Sequence, residues 1–442
     1  MGNRWQASRL RIAGEDGPRP LAALTLPRLG HNGMRLSSGI REEIVATAFK
    51  MPETFETTPA PARALRVVLY SGNYNYVRDG ANQALNRLVA FLERQGCTVR
   101  VYSPTSDTPA FEPAGTLVSV PSLSIPGRDE YRVALGVPDR LKREIRAFAP
   151  DIIHLSAPDP AAHVLKRLAR DLGVPVVASI HTRFETYLEY YGFGFARPLL
   201  EMMLRRFYAG LDEVFVTTPG FGAMMQDARI IANEPAVWSR GVDKTRFNPQ
   251  RRSAEWRWSL GIGDNEAVIG FVGRLVLEKG LETVAAAVAE LKQRGVPHRL
   301  VVVGDGPARE RFEALAPDAI FTGFLDGTNL ARAYASMDML LNPSTTETFG
   351  NINLEAMASG IPVVAARASG NECLVTDGAT GALVTPGDIA GYADALQAYC
   401  IDPALRSAHG HAGLAAAQPF DWDAINGAVL SRYRDLIATK HP

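Results

Sequence analysis

Residues 342–364 read "NPSTTETFGNINLEAMASGIPVV", and the order of residue types in this stretch decides the fold. It follows the short apolar run "DMLL" (338–341), opens as a polar loop, breaks at Gly350, continues as a segment of helix formers, and closes with "IPVV". Strand, loop, helix and strand in succession is the signature of a βαβ unit, because parallel strands need a crossover between them whereas antiparallel ones need only a tight turn.

Working outward, the same alternation repeats. "AVIGFVGR" (267–274), "RLVVVGDG" (299–306) and "AIFTGF" (319–324) precede the quoted stretch, each separated from the next by a helical pattern. Further upstream, "LRVVLY" (65–70), "CTVRVY" (97–102), "DIIHLS" (151–156), "PVVASI" (175–180) and "EVFVTT" (213–218) form an earlier series of the same kind. Two series predict two doubly wound α/β lobes facing each other across a cleft at their strand carboxyl ends, with the Pro- and Gly-bearing segment around 235–250 as hinge. The expected division is a poorly ordered extension over 1–62, a first Rossmann-like domain over 63–240, a second over 241–418, and a terminal helix over 419–442. That helix, "FDWDAINGAVLSRYRDLI", contains a DxD at its start, which reads as an Asp421 or Asp423 cap rather than a metal ligand pair.

At 442 residues the chain exceeds one ordinary core, given roughly 150 residues per domain. Its formal net charge is zero, which argues against nucleic acid as the main partner. Cys97, Cys373 and Cys400 are too few and too far apart for a disulfide framework or a metal pair, and they suit a reducing cytoplasm. No apolar run approaches the roughly 18 residues that span a bilayer, so any membrane contact is expected to be peripheral, on the cytoplasmic face.

The chemistry gathers at the ends of the predicted strands. In "FVGRLVLEKGLETV" (271–284), Arg274 follows a strand and Lys279 comes one loop later, at a helix start. A planar fork and a point charge beside a helix N-terminus suit a diphosphate. In the quoted stretch, Glu347 stands in the loop and Glu355 inside the helix, where each can accept hydrogen bonds from vicinal hydroxyls. Phe349, Gly350 and Asn351 fall at the first helical turn, with open N–H groups. His181 ends the strand "PVVASI", and Gly80 sits in the first strand-to-helix turn, "NYNYVRDGANQAL" (73–85). "GDGPAR" (304–309) lacks the third glycine of a dinucleotide fingerprint, having Arg309 there, so a tight turn explains its glycines better than a nicotinamide cofactor.

Taken in order, "VRDG", His181, "VWSRGVD", "VGRLVLEKG", "VVVGDGPAR", "FTGFLDG" and "ETFGNINLE" resemble a retaining glycosyltransferase of the GT-B fold, family 4. The resemblance runs over about residues 65–440 and is strongest to the branch that holds GDP-mannose-dependent α-mannosyltransferases, sulfoquinovosyl-diacylglycerol synthases and bacterial glucuronosylceramide synthases. It implies that Arg274 and Lys279 hold a donor diphosphate, that Glu347 with the amides of Phe349, Gly350 and Asn351 holds the donor sugar, and that Glu355 binds the ribose. It also implies His181 beside the reacting carbon, Phe324 near the base, and a terminal helix bracing the first lobe. The donor would be a nucleotide-diphosphate sugar, UDP-glucuronate-like or GDP-mannose, with no cofactor and no metal. Front-face displacement is the implied mechanism. Two departures stand out: Asp79 precedes Gly80 where many relatives have a second glycine, and Arg183 follows the histidine where several have a small, acidic or second histidine residue.

The first lobe hints at the acceptor. "HTRFETYLEYYGFGF" (181–195) crowds aromatic rings behind His181, and "ARPLLEMMLRRFYAG" (196–210) adds basic residues to an apolar segment. Arg183, Tyr187, Tyr190, Tyr191, Phe193, Arg205 and Arg206 are the expected acceptor or membrane contacts, with "DRLKREIRAF" (139–148) as a second basic helix. Arg183 could meet a uronate carboxylate or an acceptor phosphate. A ceramide- or diacylglycerol-like lipid is the expected acceptor; a polysaccharide or soluble sugar is the alternative. A non-catalytic scaffold would be expected to have lost the Arg274, Lys279 or Glu347 and Glu355 positions.

Overall fold

In the computed structural model, residues 63–77, 79–125, 128–183, 194–263 and 265–440 are described; the expectation for residues 1–62 lies outside them. The first series of apolar runs becomes strands β1 (Arg66–Tyr70), β2 (Thr98–Ser103), β3 (Thr116–Ser119), β6 (Ile152–Leu155), β7 (Val176–Ile180), β8 (Glu213–Val216) and β9 (Ala236–Val237), with the hairpin β4 (Ser122–Ile125) and β5 (Arg128–Ala134) set apart. These seven strands order as β3-β2-β1-β6-β7-β8-β9, all parallel. The chain direction across the sheet reverses between β1 and β6, the place where such sheets leave a crevice at their carboxyl ends.

Helices α1 (Gly80–Arg94), α2 (Asp139–Phe148), α3 (Pro160–Leu172), α4 (Arg197–Tyr208) and α5 (Pro219–Asp227) cover this sheet. Local sequence sets their starts: the Asp79 carboxylate accepts from the Asn82 N–H at 2.8 Å, and Asp159 accepts from Ala162 N–H at 3.0 Å with Pro160 at the first helical position. Helices α2, α3 and α4 send Leu141, Ile145, Leu165, Leu168, Leu204 and Phe207 into one core cluster on one face of the sheet.

The second sheet has strands β10 (Ala267–Val272), β11 (His298–Val303), β12 (Ile320–Gly323), β13 (Met339–Asn342), β14 (Val363–Ala366) and β15 (Gly381–Val384), in the order β12-β11-β10-β13-β14-β15. Its switch point falls between β10 and β13, the strands that precede Arg274 and Glu347. Around it lie α6 (Ala254–Ser259), α7 (Leu281–Gln293), α8 (Arg309–Leu315), α9 (Gly327–Ser336), α10 (Asn351–Ala358), α11 (Ser369–Glu372), α12 (Ile389–Ile401) and α13 (Pro403–Ala416).

The last helix, α14 (Trp422–Lys440), leaves the second lobe and packs on the first. Asp421 caps it, accepting from the N–H groups of Asp423 and Ala424 at 3.0 Å. Ile425, Val429, Leu430 and Tyr433 join the core cluster of Val67, Leu69, Val177 and Phe215. Trp238 donates from its indole to Asn426 at 3.2 Å, Arg432 pairs with Glu213 at 2.6 Å, and the Tyr433 hydroxyl bonds the buried ring of His154. Where the two crossings between lobes meet, the Val242 N–H donates to Phe420 O at 3.0 Å.

Candidate active site

Two strand ends and one helix start assemble the charged groups of the second lobe. Arg274 follows β10, and Lys279 ends the short turn Leu277–Lys279 that leads into α7. From the β13 side, the loop 343–349 brings Glu347 to Lys279, ammonium to carboxylate at 2.5 Å, with both side chains largely shielded. Gly350 precedes α10 with φ of +92°, a conformation open to glycine and costly for other residues. The open N–H groups of the first turn of α10 and its dipole favour an anion or a partly negative oxygen.

A buried amide network holds that loop. Asn342, Asn353 and Asn371 are all at most 1% exposed. Asn342 Nδ2 donates to Asn353 Oδ1 at 2.9 Å, and Asn353 Nδ2 donates to Asn371 Oδ1 at 2.8 Å. Asn371 Nδ2 in turn donates to the carbonyls of Ser344 and Ala366 at 3.0 and 2.9 Å. With most of its polar atoms satisfied, such a network fixes backbone rather than merely filling space.

Glu355 lies on the second turn of α10, partly buried. Burial pushes its carboxyl up to about 7, against the opposing pull of Tyr334, Arg87 and Arg246. The Tyr334 hydroxyl stands beside it, outside the geometry of a formed hydrogen bond. Phe349 is buried, its ring edge-on to Phe420 at 5.9 Å, so only its backbone can serve the cleft. Phe324 follows β12 at the edge of the second sheet and is 60% exposed.

The first lobe closes over these groups. Gly80 begins α1 against Asn351, whose side-chain nitrogen would lie 2.4 Å from a Cβ at Gly80; the missing side chain makes room for the opposite lobe. Asp79 occupies the N-cap of α1, so the protein itself supplies an anion at that helix end. Burial raises the Asp79 carboxyl to about 6, while Arg274 and Arg240 act to lower it. Across the seam, Thr217 Oγ1 donates to Thr348 O at 2.6 Å, and Thr348 Oγ1 donates to His181 O at 3.0 Å.

His181 is positioned by a residue not singled out from the sequence. Arg240, 3% exposed, donates from Nη1 to the carbonyls of Trp238 and Ser239 at 3.1 Å and from Nη2 to His181 Nδ1 at 2.6 Å. Its guanidinium stacks on Trp238 at 5.0 Å, and the His181 ring meets Trp238 edge-on at 5.1 Å. Burial and the neighbouring guanidinium hold His181 well below its ordinary value, so it is neutral. A donor at Nδ1 assigns the ring proton to Nε2, which is buried and has no hydrogen-bond partner among the described residues. Arg240 lies within the motif "VWSRGVD", but its burial cannot be read from the residues around it.

The remaining expectations sit farther out. Arg183 lies two residues past His181, partly buried. Arg205 is turned to Glu201 at 3.0 Å and to the Ala228 carbonyl at 3.1 Å, while Arg206 is exposed. Tyr187, Tyr190, Tyr191 and Phe193 lie outside the described residues. Among the described residues, no group of three or more His, Cys, Asp or Glu side chains could hold a metal ion.

Comparison with known proteins identifies the family and the fold. Residues 78–246 match the family described as Glycosyltransferase Family 4, and residues 266–402 match Glycosyl transferases group 1. The chain is 32% identical over 374 residues to the sulfoquinovosyl transferase SQD2 of Arabidopsis thaliana, covering 83% of this chain and 72% of that one. It is 33% identical over 385 residues to a GDP-mannose-dependent alpha-mannosyltransferase of Mycolicibacterium smegmatis, covering 85% and 99%. An alpha-monoglucosyldiacylglycerol synthase of Streptococcus pneumoniae is 27% identical over 72% of this chain and 75% of its own. Among solved structures, sucrose-phosphate synthase from Thermosynechococcus elongatus superimposes with a TM-score of 0.67 at 23% identity, over 85% of this chain and 100% of that one. Anabaena Alr3699/HepE in complex with UDP and glucose gives 0.65 at 21%, over 84% and 100%. The two-lobed α/β architecture is thus the GT-B fold.

Proposed function

The chain belongs to the family 4 glycosyltransferases, and from that premise we propose that it moves a hexosyl or hexuronosyl group, with retention, from a nucleotide-diphosphate sugar to a membrane lipid. In this reading residues 63–240 form the acceptor domain, 241–418 the donor domain, and 419–442 the brace between them. The observation that carries it is the meeting of Lys279 with Glu347 at 2.5 Å, in the loop whose Thr348 hydroxyl donates to the His181 carbonyl at 3.0 Å.

Each group has a task. Arg274 and Lys279 neutralise the charge that develops on the leaving diphosphate, and the N-terminus of α10 adds its dipole. Glu347 orients the donor sugar through its hydroxyls, and Glu355 accepts from the ribose. His181, neutral and carrying its proton on Nε2, acts as a hydrogen-bond donor to a sugar oxygen rather than as a base. With no carboxylate in the nucleophile's role, the leaving phosphate oxygen takes the acceptor proton as the new bond forms on the same face of the sugar. The protein's contribution is then positioning and charge stabilisation.

A lipid acceptor is supported by the name of one relative, the alpha-monoglucosyldiacylglycerol synthase, and by the basic and apolar first-lobe helix α4. No helix among the described residues is long and apolar enough to cross a membrane, so contact with lipid is proposed to be peripheral. A thermal-shift panel of nucleotide sugars, followed by transfer from the best binder into a total lipid extract with mass detection, tests the reading. One lipid class should gain a hexose or hexuronate mass with release of the nucleoside diphosphate. Transfer only to water-soluble sugars would assign a soluble acceptor instead.

A further inference from the structure

The helices on one face of the first sheet carry a charge that the whole chain does not. Together α2, α3 and α4 hold ten Lys and Arg against four Asp and Glu, in a chain of zero formal net charge. Of the ten, only Lys166 is buried, its ammonium donating to the carbonyls of Phe207 and Ala209. The three helices make one continuous layer. Arg146 of α2 pairs with Asp171 of α3 at 3.6 Å, and His163 of α3 stacks edge-on to Phe207 of α4 at 5.1 Å.

Within this layer α4 is apolar on two sides. Leu204, Phe207 and Tyr208 face the core, whereas Leu199, Met202 and Met203 are 57%, 57% and 51% exposed. Phe195, in the turn that leads into α4, is 83% exposed. Positions 199, 202 and 203 share one stripe of the helix surface, and Glu201 with Arg197 and Arg205 forms a polar rail beside it. Helices in a parallel crossover begin at the carboxyl edge of the sheet, so the exposed stripe starts at the edge that carries His181.

We propose that this layer docks the protein on an anionic lipid bilayer, with Leu199, Met202 and Met203 entering the headgroup region while the surrounding cations meet lipid phosphates. The inference rests on the lipid-acceptor reading above and gives it a place. An apolar stripe alone or a positive field alone holds a protein weakly at a bilayer; the two together make a stable peripheral contact. Flexible methionine and leucine side chains suit fluid acyl chains. Docking in this orientation presents the mouth of the cleft to the leaflet from which the acceptor must come.

The test uses the full chain in flotation with vesicles of phosphatidylglycerol and phosphatidylcholine, and with phosphatidylcholine alone. The wild type should float with the anionic vesicles, much less with the neutral ones, and should be released by salt. A Leu199→Asp/Met202→Asp/Met203→Asp variant and an Arg140→Glu/Arg143→Glu/Arg167→Glu variant should each bind roughly tenfold more weakly or less, while keeping the wild-type melting temperature and nucleotide-induced thermal shift. Wild-type protein left at the bottom of the gradient, equal flotation on both vesicle types, or both variants floating like wild type would overturn the proposal. So would a dimer that the aspartate variant converts to monomer, because the stripe would then be a subunit interface. If the wild type floats but no nucleotide sugar shifts its melting, the proposed donor site fails and the membrane surface stands.

Discussion

Arg240 is nearly excluded from solvent, yet its hydrogen-bond partners are two carbonyls and an imidazole, with no carboxylate among them. Burial lowers its guanidinium to about 9, so it remains charged at neutral pH. Keeping a cation there makes sense if its work is to donate to Nδ1 and hold His181 in one tautomer. Arg240→Met should lower kcat/KM for the donor by roughly a hundredfold, as a misaligned positioning group does, and Arg240→Lys should restore part of that loss. A folded Arg240→Met enzyme with wild-type kcat and KM would show that the His181 tautomer has no bearing on transfer. Glu355 presents the opposite case, a carboxylate raised to about 7 by burial. Its native pKa lies above the unfolded value near 4.5, so ionising it costs stability as pH rises through that window. Glu355→Gln should therefore stabilise the fold by about 3 kcal/mol well above pH 7 and by nothing below pH 4.5, while weakening donor binding. Thermal melts of both proteins across this range, alongside donor titrations, would check the sign.

At the scale of elements, the loop between β13 and α10 depends on side chains from three places. Asn371 closes the network from α11, so Asn371→Ala removes the donor to the carbonyls of Ser344 and Ala366 and the acceptor of the Asn353 amide. The expected cost is about 2 to 4 kcal/mol, together with at least a tenfold loss in kcat/KM measured well below the melting temperature, because Glu347 loses its support. Unaltered kinetics in the folded variant would assign the network to stability alone. The strand, loop and helix carrying Glu347 and Glu355 were legible from residue order, since βαβ punctuation is local. Short β15 and the hairpin β4–β5 were not, because "GALV" is four residues long and the hairpin lies apart from the main sheet. The Asn342, Asn353 and Asn371 network was equally hidden. Each asparagine reads as a turn or cap residue by itself, and only packing brings them together. Arg240 was quoted within a motif but not weighed, since sequence cannot distinguish a buried arginine from a solvated one.

Over the whole molecule, activity depends on two lobes that touch through small groups: Gly80 against Asn351, and Thr217 and Thr348 across the seam near His181. No periodicity foretells such contacts between distant parts of the chain, although the glycine was visible. Gly80→Leu should wedge the helix ends apart, enlarging the radius of gyration in small-angle scattering and lowering turnover, with partial recovery on adding Asn351→Gly. An unchanged radius and rate would mean that the seam opens elsewhere. The brace from α14 links the lobes, and in the proposed function Arg274 and Lys279 are the groups that make that pairing chemically useful. The most direct measurement is therefore sugar transfer to lipid by Arg274→Ala beside the wild type, each verified as folded by its melting curve. Turnover should fall by about two to three orders of magnitude with the fold intact, and nucleoside diphosphate should bind more weakly. A folded Arg274→Ala enzyme that transfers sugar at the wild-type rate would contradict the assignment of this cleft as the donor site.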